Sequence, residues 1–418
     1  MARRREVLTT RGFAFLAAGV TLLAAGLLLG FPDLTRVGAL LIVLPALAML
    51  VVQRRVPGLE VSRASSPART SVEEPVAVTV TVRNTTTRSS PPLLAEDRID
   101  VRMGERPRTL LGALAAGQAR TLAYAVQPTM RGRHQLGPLS VEVRDPFGLT
   151  IRQAQVGDAS DIMVLPRVLT LRGNPSAAGM GGVDGDVPAL IAALAEIDQS
   201  VREYRDGDDL RRIHWPATAR TGEFMVRHED RPVRRRATLV LDTRATGFRG
   251  EVTSESFEWA VSAAASVLRH LAGLGYAVRL VTPDTVVEGA AAADITSDAG
   301  LDLLAATNLT PAASLPQVLA VAQSLTAAGG LLVTVLAAHD LDLIRDVARL
   351  RGPGTSALAI VVDAGAGFQA PTALGEQAEA VLRGAGWRVV RATGPLDHVH
   401  GIPAAWAALT RAPSRVGQ

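Results

Sequence analysis

Two apolar runs near the amino terminus constrain this chain more than any other feature. Phe13 to Phe31 is uninterrupted and weakly to strongly apolar, and Val37 to Val52 follows almost at once. Crossing the hydrocarbon core of a bilayer takes about 20 apolar residues. Both runs are near that length, the second being short unless it starts at Leu34. Phe31-Pro32-Asp33 reads as the turn between them. A basic segment ahead of an apolar run also suits a signal peptide, but a second run follows here and no small-x-small cleavage site separates the two. Arg3, Arg4, Arg5 and Arg11 precede the first run, Arg54 and Arg55 follow the second, and the connection holds only Arg36. Basic residues concentrate on the cytoplasmic side of membrane proteins. The expectation is a multi-pass, two-helix anchor over 1–56 in the inner (cytoplasmic) membrane. Both termini, and everything after Val56, are then expected to be cytoplasmic.

The remainder of a 418-residue chain has room for one or two further domains. Cys is absent, which excludes disulfides and thiolate chemistry. Lys is absent too, so all 44 basic side chains are Arg. That removes the lysine of a phosphate-binding P-loop, a Schiff base or a Ser–Lys dyad. It also explains a pI of about 10.3 at a net charge of only +4. Arg usage of this kind goes with the many Ala and Gly residues and follows from base composition. Arg234-Arg235-Arg236 reads as a solvated strand flank, and no nucleic-acid partner is expected.

Residues 57–168 change to period two. Val76, Val78, Val80 and Val82 alternate with Ala77, Thr79 and Thr81, as in a half-buried strand. Further short runs are Ile99 to Arg102, Thr121 to Gln127, Leu139 to Val143 and Asp161 to Leu165. Turn clusters separate them, and Asp145-Pro146-Phe147-Gly148 is a tight turn before another strand. This spacing predicts a β-sandwich-like domain. Residues 169–200 read as a linker with a short helix, its Gly-rich part (GMGGVDGD) following no clean strand and preceding no Lys.

From 237 to 411 apolar strands alternate with helical stretches. Strands are predicted at Ala237–Leu241, Ala277–Val281, Leu331–Leu336, Ala357–Val362 and Trp387–Val390. Helices are predicted at Ser256–Leu274, Leu315–Ala327, Asp340–Arg351, Thr372–Gly384 and Pro403–Arg411. Continuous apolar strands between helices indicate an α/β domain whose parallel sheet is covered on both faces. Leu274-Gly275 and Arg383-Gly384 look like helix C-caps, and 412–418 reads as a tail.

Between these domains lies a polar block at 201–236. Its distinctive residues are Arg202, Tyr204, Gly207, Asp208, Asp209, Arg211, His214, Trp215, Arg220 and Arg227. Asp208 or Asp209 suits the N-cap of a short helix that ends before Pro216. Thr221-Gly222 is a turn, and Phe224 and Val226 open an extended stretch. Three readings stay open: an ion-pair lock with Trp215 buried, a partner-docking surface on Arg211, Trp215 and Arg220, and a catalytic or metal site using His214 with the acids. The last lacks a compact ligand motif, such as two His on one helical turn beside an acid.

The block resembles the bacterial family called domain of unknown function 58. The resemblance is carried by Arg202-Glu203-Tyr204, Gly207-Asp208-Asp209, Arg211, Ile213-His214-Trp215, Ala217-Thr218-Ala219-Arg220, Thr221-Gly222 and Met225-Val226-Arg227. Arg131-Gly132, Leu136-Gly137-Pro138 and Asp145-Pro146-Phe147-Gly148-Leu149 agree with it. Pro216 and Thr218 depart from the family pattern, where a basic residue and a Ser are frequent. The resemblance implies a membrane-anchored protein with a von Willebrand factor A-like last domain. It also implies a non-enzymatic adaptor working with a MoxR-type AAA ATPase and other membrane proteins, in protein assembly or cell-envelope maintenance. The alternative is a metal-dependent hydrolase built on the acidic and His-containing block.

The domain type that the resemblance implies often holds Mg²⁺ through an Asp-x-Ser-x-Ser loop. Here the loop reads Asp242-Thr243-Arg244-Ala245-Thr246. Asp242 matches and Thr246 could replace one hydroxyl, but Arg244 brings a cation to a cation site. The site is expected to be degenerate, with no cofactor and with Asp242 pairing with Arg244 or an Arg of the central block.

Overall fold

The computed structural model describes residues 5–54, 58–175, 201–204, 213, 215–227, 235–248, 254–311, 315–327, 329–363, 372–393 and 398–411. It divides into two compact units, one of 1–167 with 301–307, the other of 168–300 with 308–418.

The first unit begins with strand β1 (Arg5–Leu8) and two helices, α1 (Thr10–Leu29) and α2 (Pro32–Arg54). At 1.5 Å per residue, α1 is about 30 Å long. Both helices are long and apolar enough to cross a membrane, and most of their apolar surface is exposed. Leu27, Leu28, Leu29, Leu40 and Leu47 all face outward. The surface between the helices is made of small residues. Gly12, Gly19 and Gly26 form the buried stripe of α1. A β-carbon on Gly19 would stand 2.8 Å from Ile42 Cγ1, and one on Gly38 would stand 2.5 Å from the Leu23 amide nitrogen. Helix backbones approach this closely only where side chains are absent.

Ten strands make up the rest of the unit: β1 with β2 (Leu59–Ser66), β3 (Arg69–Ser71), β4 (Val76–Asn84), β5 (Leu93–Ile99), β6 (Arg108–Leu111), β7 (Ala119–Val126), β8 (Gly132–Arg144), β9 (Thr150–Val156) and β10 (Ser160–Leu165). One sheet runs β1-β9-β8-β10-β3, with β5 and β6 attached through β8; the other is β2-β4-β7. The period-two pattern of β4 puts Val76, Val78, Val80 and Val82 in one core with Leu93, Ala95, Leu139, Val141 and Val143 of the facing sheet. Val52, near the end of α2, is buried in the same core. The predicted strand at Ile99–Arg102 is corrected: Ile99 ends β5 and a 3-10 turn follows over Val101–Met103.

In the second unit a ribbon of β11 (Val201–Glu203) and β12 (Met225–Arg227) flanks helix α3 (Trp215–Thr221). Then come β13 (Arg236–Leu241), α4 (Glu255–Gly273), β14 (Ala277–Val281), α5 (Pro283–Val287), α6 (Ser297–Ala306, whose residues from Leu301 on count with the first unit), α7 (Leu315–Thr326), β15 (Gly330–Ala337), α8 (Leu341–Ala348), β16 (Thr355–Val362), α9 (Ala373–Gly384), β17 (Arg388–Ala392) and α10 (His398–Thr410). The sheet order is β14-β13-β15-β16-β17, every pair parallel. Val240, Leu332, Ala359 and Val361 pack under α7, α8 and α9 through Val318, Ile344 and Leu382. α4 lies along β13, β14 and β15, and α10 along β16 and β17. The expected five strands and five helices are present, within a few residues of their predicted ends. α5 and α6 were not expected. Gly275 takes the positive φ that a C-cap requires, but after α9 that role falls to Gly386, not Gly384.

Candidate functional site

The carboxyl edge of the parallel sheet is where ligands bind in open α/β folds, at the point where strand order reverses. In this sheet the reversal lies between β13 and β15, and Asp242 directly follows β13 there. Asp242 is buried, and so is Arg244 two residues on. Arg244 Nε donates to Asp242 Oδ1 at 3.0 Å and Nη2 to Oδ2 at 2.9 Å. The backbone N–H of Arg244 adds a bond to Oδ1 at 3.1 Å, and that of Ala337 one to Oδ2 at 3.3 Å. Arg244 Nη1 also stands 3.6 Å from Asp340. Thr243 is held by Thr310, hydroxyl to hydroxyl at 2.7 Å, while Thr246 is exposed.

Mg²⁺ needs near-octahedral oxygen ligands at about 2.0–2.1 Å. Both oxygens of Asp242 are already engaged by N–H donors, and a guanidinium occupies the place of a cation. These residues do not fit a divalent ion in this arrangement. The pairing of Asp242 with Arg244 was one of the two expected for it.

The same edge holds a second acid that sequence reasoning missed. Asp363 follows β16, is buried, and accepts from Thr372 through its hydroxyl (2.6 Å) and its amide (2.8 Å). Arg391 stands 3.8 Å away. The signal was present in the sequence: β13 ends in Val-Leu and β16 in Val-Val, and each is followed at once by Asp.

In the central block, Gly207, Asp208, Asp209, Arg211 and His214 lie outside the described residues, as does the helix expected to start at Asp208 or Asp209. The backbones of Arg202 and Arg227 belong to the ribbon, Val201 pairing with Arg227 and Arg202 with Val226. Tyr204 continues it, its amide donating to Phe224 at 2.8 Å and its ring meeting that of Phe224 edge-on at 6.3 Å. The Thr218 hydroxyl accepts the Met225 amide at 3.0 Å and ties α3 to β12. Gly222 turns the chain between them with φ +79°. Two expectations are corrected. Pro216 sits in the first turn of α3 instead of ending a helix, a position where its missing N–H costs nothing. Trp215 is 64% exposed and Phe224 56% exposed, so the lock reading loses its buried Trp.

A third cluster explains one of the secondary signatures. Asp145 takes the Phe147 amide on Oδ1 at 2.8 Å, and the Thr150 amide and hydroxyl on Oδ2. The turn so fixed carries the start of α1. The N-cap Thr9 donates its hydroxyl to Gly148 O at 2.7 Å and its amide to Leu149 O at 2.9 Å. A β-carbon on Gly12 would fall 2.3 Å from Leu149 O.

Residues 200–296 match the family model described as protein of unknown function DUF58. The DUF58 match takes in the ribbon, α3, β13 with Asp242 and Arg244, α4 and β14. The signatures around Gly137 and Asp145 lie outside it. No curated protein matches the chain. Among solved structures, the CARDB domain of a Pyrococcus furiosus protein, crystallised with di-metal ions, is 17% identical. That match covers 26% of this chain and 94% of that one at a TM-score of 0.20. The Pseudomonas fluorescens alkylpurine DNA glycosylase AlkC, bound to DNA containing an abasic site analog, is 15% identical over 32% of this chain and 39% of its own, at 0.19. A Listeria innocua β-glucosidase is 16% identical over 26% and 16%, at 0.17. Scores this low carry no argument about fold, ligand or reaction.

Proposed function

We propose that this chain is a membrane-anchored scaffold or adaptor, with no active site of its own, that faces the cytoplasm and docks an AAA ATPase through the central block. The observation that carries the docking reading is the exposure of Trp215 and Phe224 on neighbouring elements, with Arg220 exposed beside them. Trp and Arg supply much of the binding energy of protein interfaces, and a solvated indole is a poor structural lock. The MoxR type of ATPase comes from the family resemblance, as does the von Willebrand A-like reading of the α/β unit. The parallel sheet covered on both faces is consistent with that reading.

The topology has its own support. β1 precedes the two apolar helices and pairs antiparallel with β9, which follows them. Strands of one sheet lie on one side of a bilayer. A pair of helices inserted between them must therefore enter and return, leaving both flanks on the same side. The flanking Arg residues favour the cytoplasm as that side.

The test is affinity capture of the detergent-solubilised full-length protein from its own cells, comparing wild type with Trp215→Ala/Arg220→Ala. An AAA ATPase recovered with wild type and lost with a variant of unchanged melting temperature supports the reading. Equal recovery from both removes the block as the docking surface, and absence of any ATPase removes the partner.

A further inference from the structure

The amino edge of the parallel sheet, opposite the edge sealed by Asp242, contains a cleft of about 730 Å³. Small-ligand sites fall in the range of roughly 300–1,000 Å³. Four arginines line it, Arg235, Arg236, Arg351 and Arg388, and among the described residues no acidic one does. They come from three separate places: the start of β13, the end of the α8 turn and the start of β17.

Arg351, which is exposed, and Arg388, which is half-buried, are each only partly engaged. Arg351 Nη1 donates to Ala385 O at 3.2 Å. Arg388 donates one Nη2–H to the Arg411 carbonyl, while its Nη1 is buried without a hydrogen-bond partner. Among the described residues, no carboxylate pairs with Arg236, Arg351 or Arg388. Carbonyls at helix ends suit a nearby cation, but among the described residues they answer only one N–H of each guanidinium fork.

The backbone is shaped to hold this arrangement. Gly386 has φ +82°, and a β-carbon there would stand 2.4 Å from Arg351 Nη1. Only glycine lets that guanidinium cross the chain at this point. Ser356 adds a hydroxyl to the lining. Burial also pushes the Arg388 guanidinium below the usual arginine range, a cost that a bound anion would relieve.

We propose that this cleft binds a phosphate-bearing ligand with at least two negative charges, gripped by Arg351 and Arg388 with Arg236 at the rim. Guanidinium forks match phosphate oxygens two at a time, and several of them around one small volume call for a compact, multiply charged group. A soluble phosphate compound and an anionic lipid headgroup share this chemistry.

The experiment titrates full-length protein in neutral detergent with inorganic pyrophosphate, and separately with dioctanoyl phosphatidic acid, by calorimetry. Arg351→Gln and Arg388→Gln are each expected to weaken binding about tenfold or more, while Arg349→Gln, paired with Asp346 outside the cleft, leaves it unchanged. Ser356→Asp, which adds a carboxylate and keeps every arginine, is expected to abolish binding and covers the case where an arginine variant fails to fold. Pyrophosphate binding lost in these variants supports a soluble ligand. Binding of the short-chain lipid alone, lost in the same variants, supports the site and assigns a headgroup. No binding of either probe, or binding indifferent to Arg351, Arg388 and Ser356, overturns the proposal.

Discussion

Gly137 lies so close to Arg63 that a β-carbon on it would stand 2.5 Å from both Nη1 and Nη2 of the guanidinium. Arg63 uses the space to reach Asp97, Nη2 to Oδ1 at 2.6 Å and Nε to Oδ2 at 3.0 Å, with both side chains buried. Tyr124 donates to the same carboxylate at 2.6 Å. The Leu136-Gly137-Pro138 signature thus makes room for a buried ion pair joining β2 to β5.

Gly137→Ala should therefore damage the sandwich well beyond an ordinary surface change. The new methyl displaces Arg63 and leaves Asp97 buried, and φ +92° is strained for any L side chain. Breaking a buried pair costs about 3–5 kcal/mol. Thermal melts of the full-length protein in detergent should show a clear drop for Gly137→Ala and a comparable one for Arg63→Ala. A Gly137→Ala melt that overlays wild type would remove this account.

The same cluster predicts an alkaline limit. Burial raises the Tyr124 hydroxyl above its ordinary value near 10, and the Asp97 carboxylate adds to the effect. A raised folded-state pKa means that the native protein keeps this proton where the unfolded chain loses it. The contribution is complete below pH 10 and declines as pH rises through and beyond it. Melting temperature measured from pH 8 to 11 should fall more steeply for wild type than for Tyr124→Phe. Parallel curves would show that another group governs the alkaline limb.

At the carboxyl edge, Arg244→Ala leaves the Asp242 carboxylate buried and short of its guanidinium partner. The expected loss is about 3–5 kcal/mol. Asp242→Asn/Arg244→Gln removes both charges and should recover much of it. A double variant no more stable than Arg244→Ala would mean that the pair has no charge coupling.

Asp145→Ala should loosen the platform under α1. Three donors lose their acceptor, and local opening becomes easier by about 1–3 kcal/mol. Hydrogen exchange at the Thr150 and Thr9 amides should accelerate about tenfold or more, while the amides of β16 keep their protection. Unchanged exchange at Thr9 would detach the turn from the helix start.

The sequence was most legible where one period dominated. The alternation of β4 and the apolar runs of β13, β15 and β16 placed their elements within a residue or two, because burial on one or both faces dictates those patterns. Ile99–Arg102 misled because Asp100 caps a 3-10 turn through the Arg102 amide, and a local side-chain bond of that kind leaves no periodic trace. β1 was hidden by Arg5, which with Arg3 and Arg4 before it read as a flank of the first apolar run. Pro216 was ambiguous in principle, since the same residue ends one helix or begins the next. At the site, Asp242 and Arg244 were found through the loop that the family resemblance implies. Asp363 and the arginine cleft depend on residues distant in sequence, which only the sheet brings together.

The pairing of β1 with β9 also bears on how the chain is made. Thr9 docks on Leu149, 140 residues later in sequence. Synthesis runs from the amino end, so both apolar helices emerge before the strand and the turn that hold their base exist. Until the ribosome has passed Val156, the edge of β1 has no partner and its backbone groups stay unpaired. The sandwich therefore closes only after both helices have been made, and the helical pair is complete before the domain that holds its base.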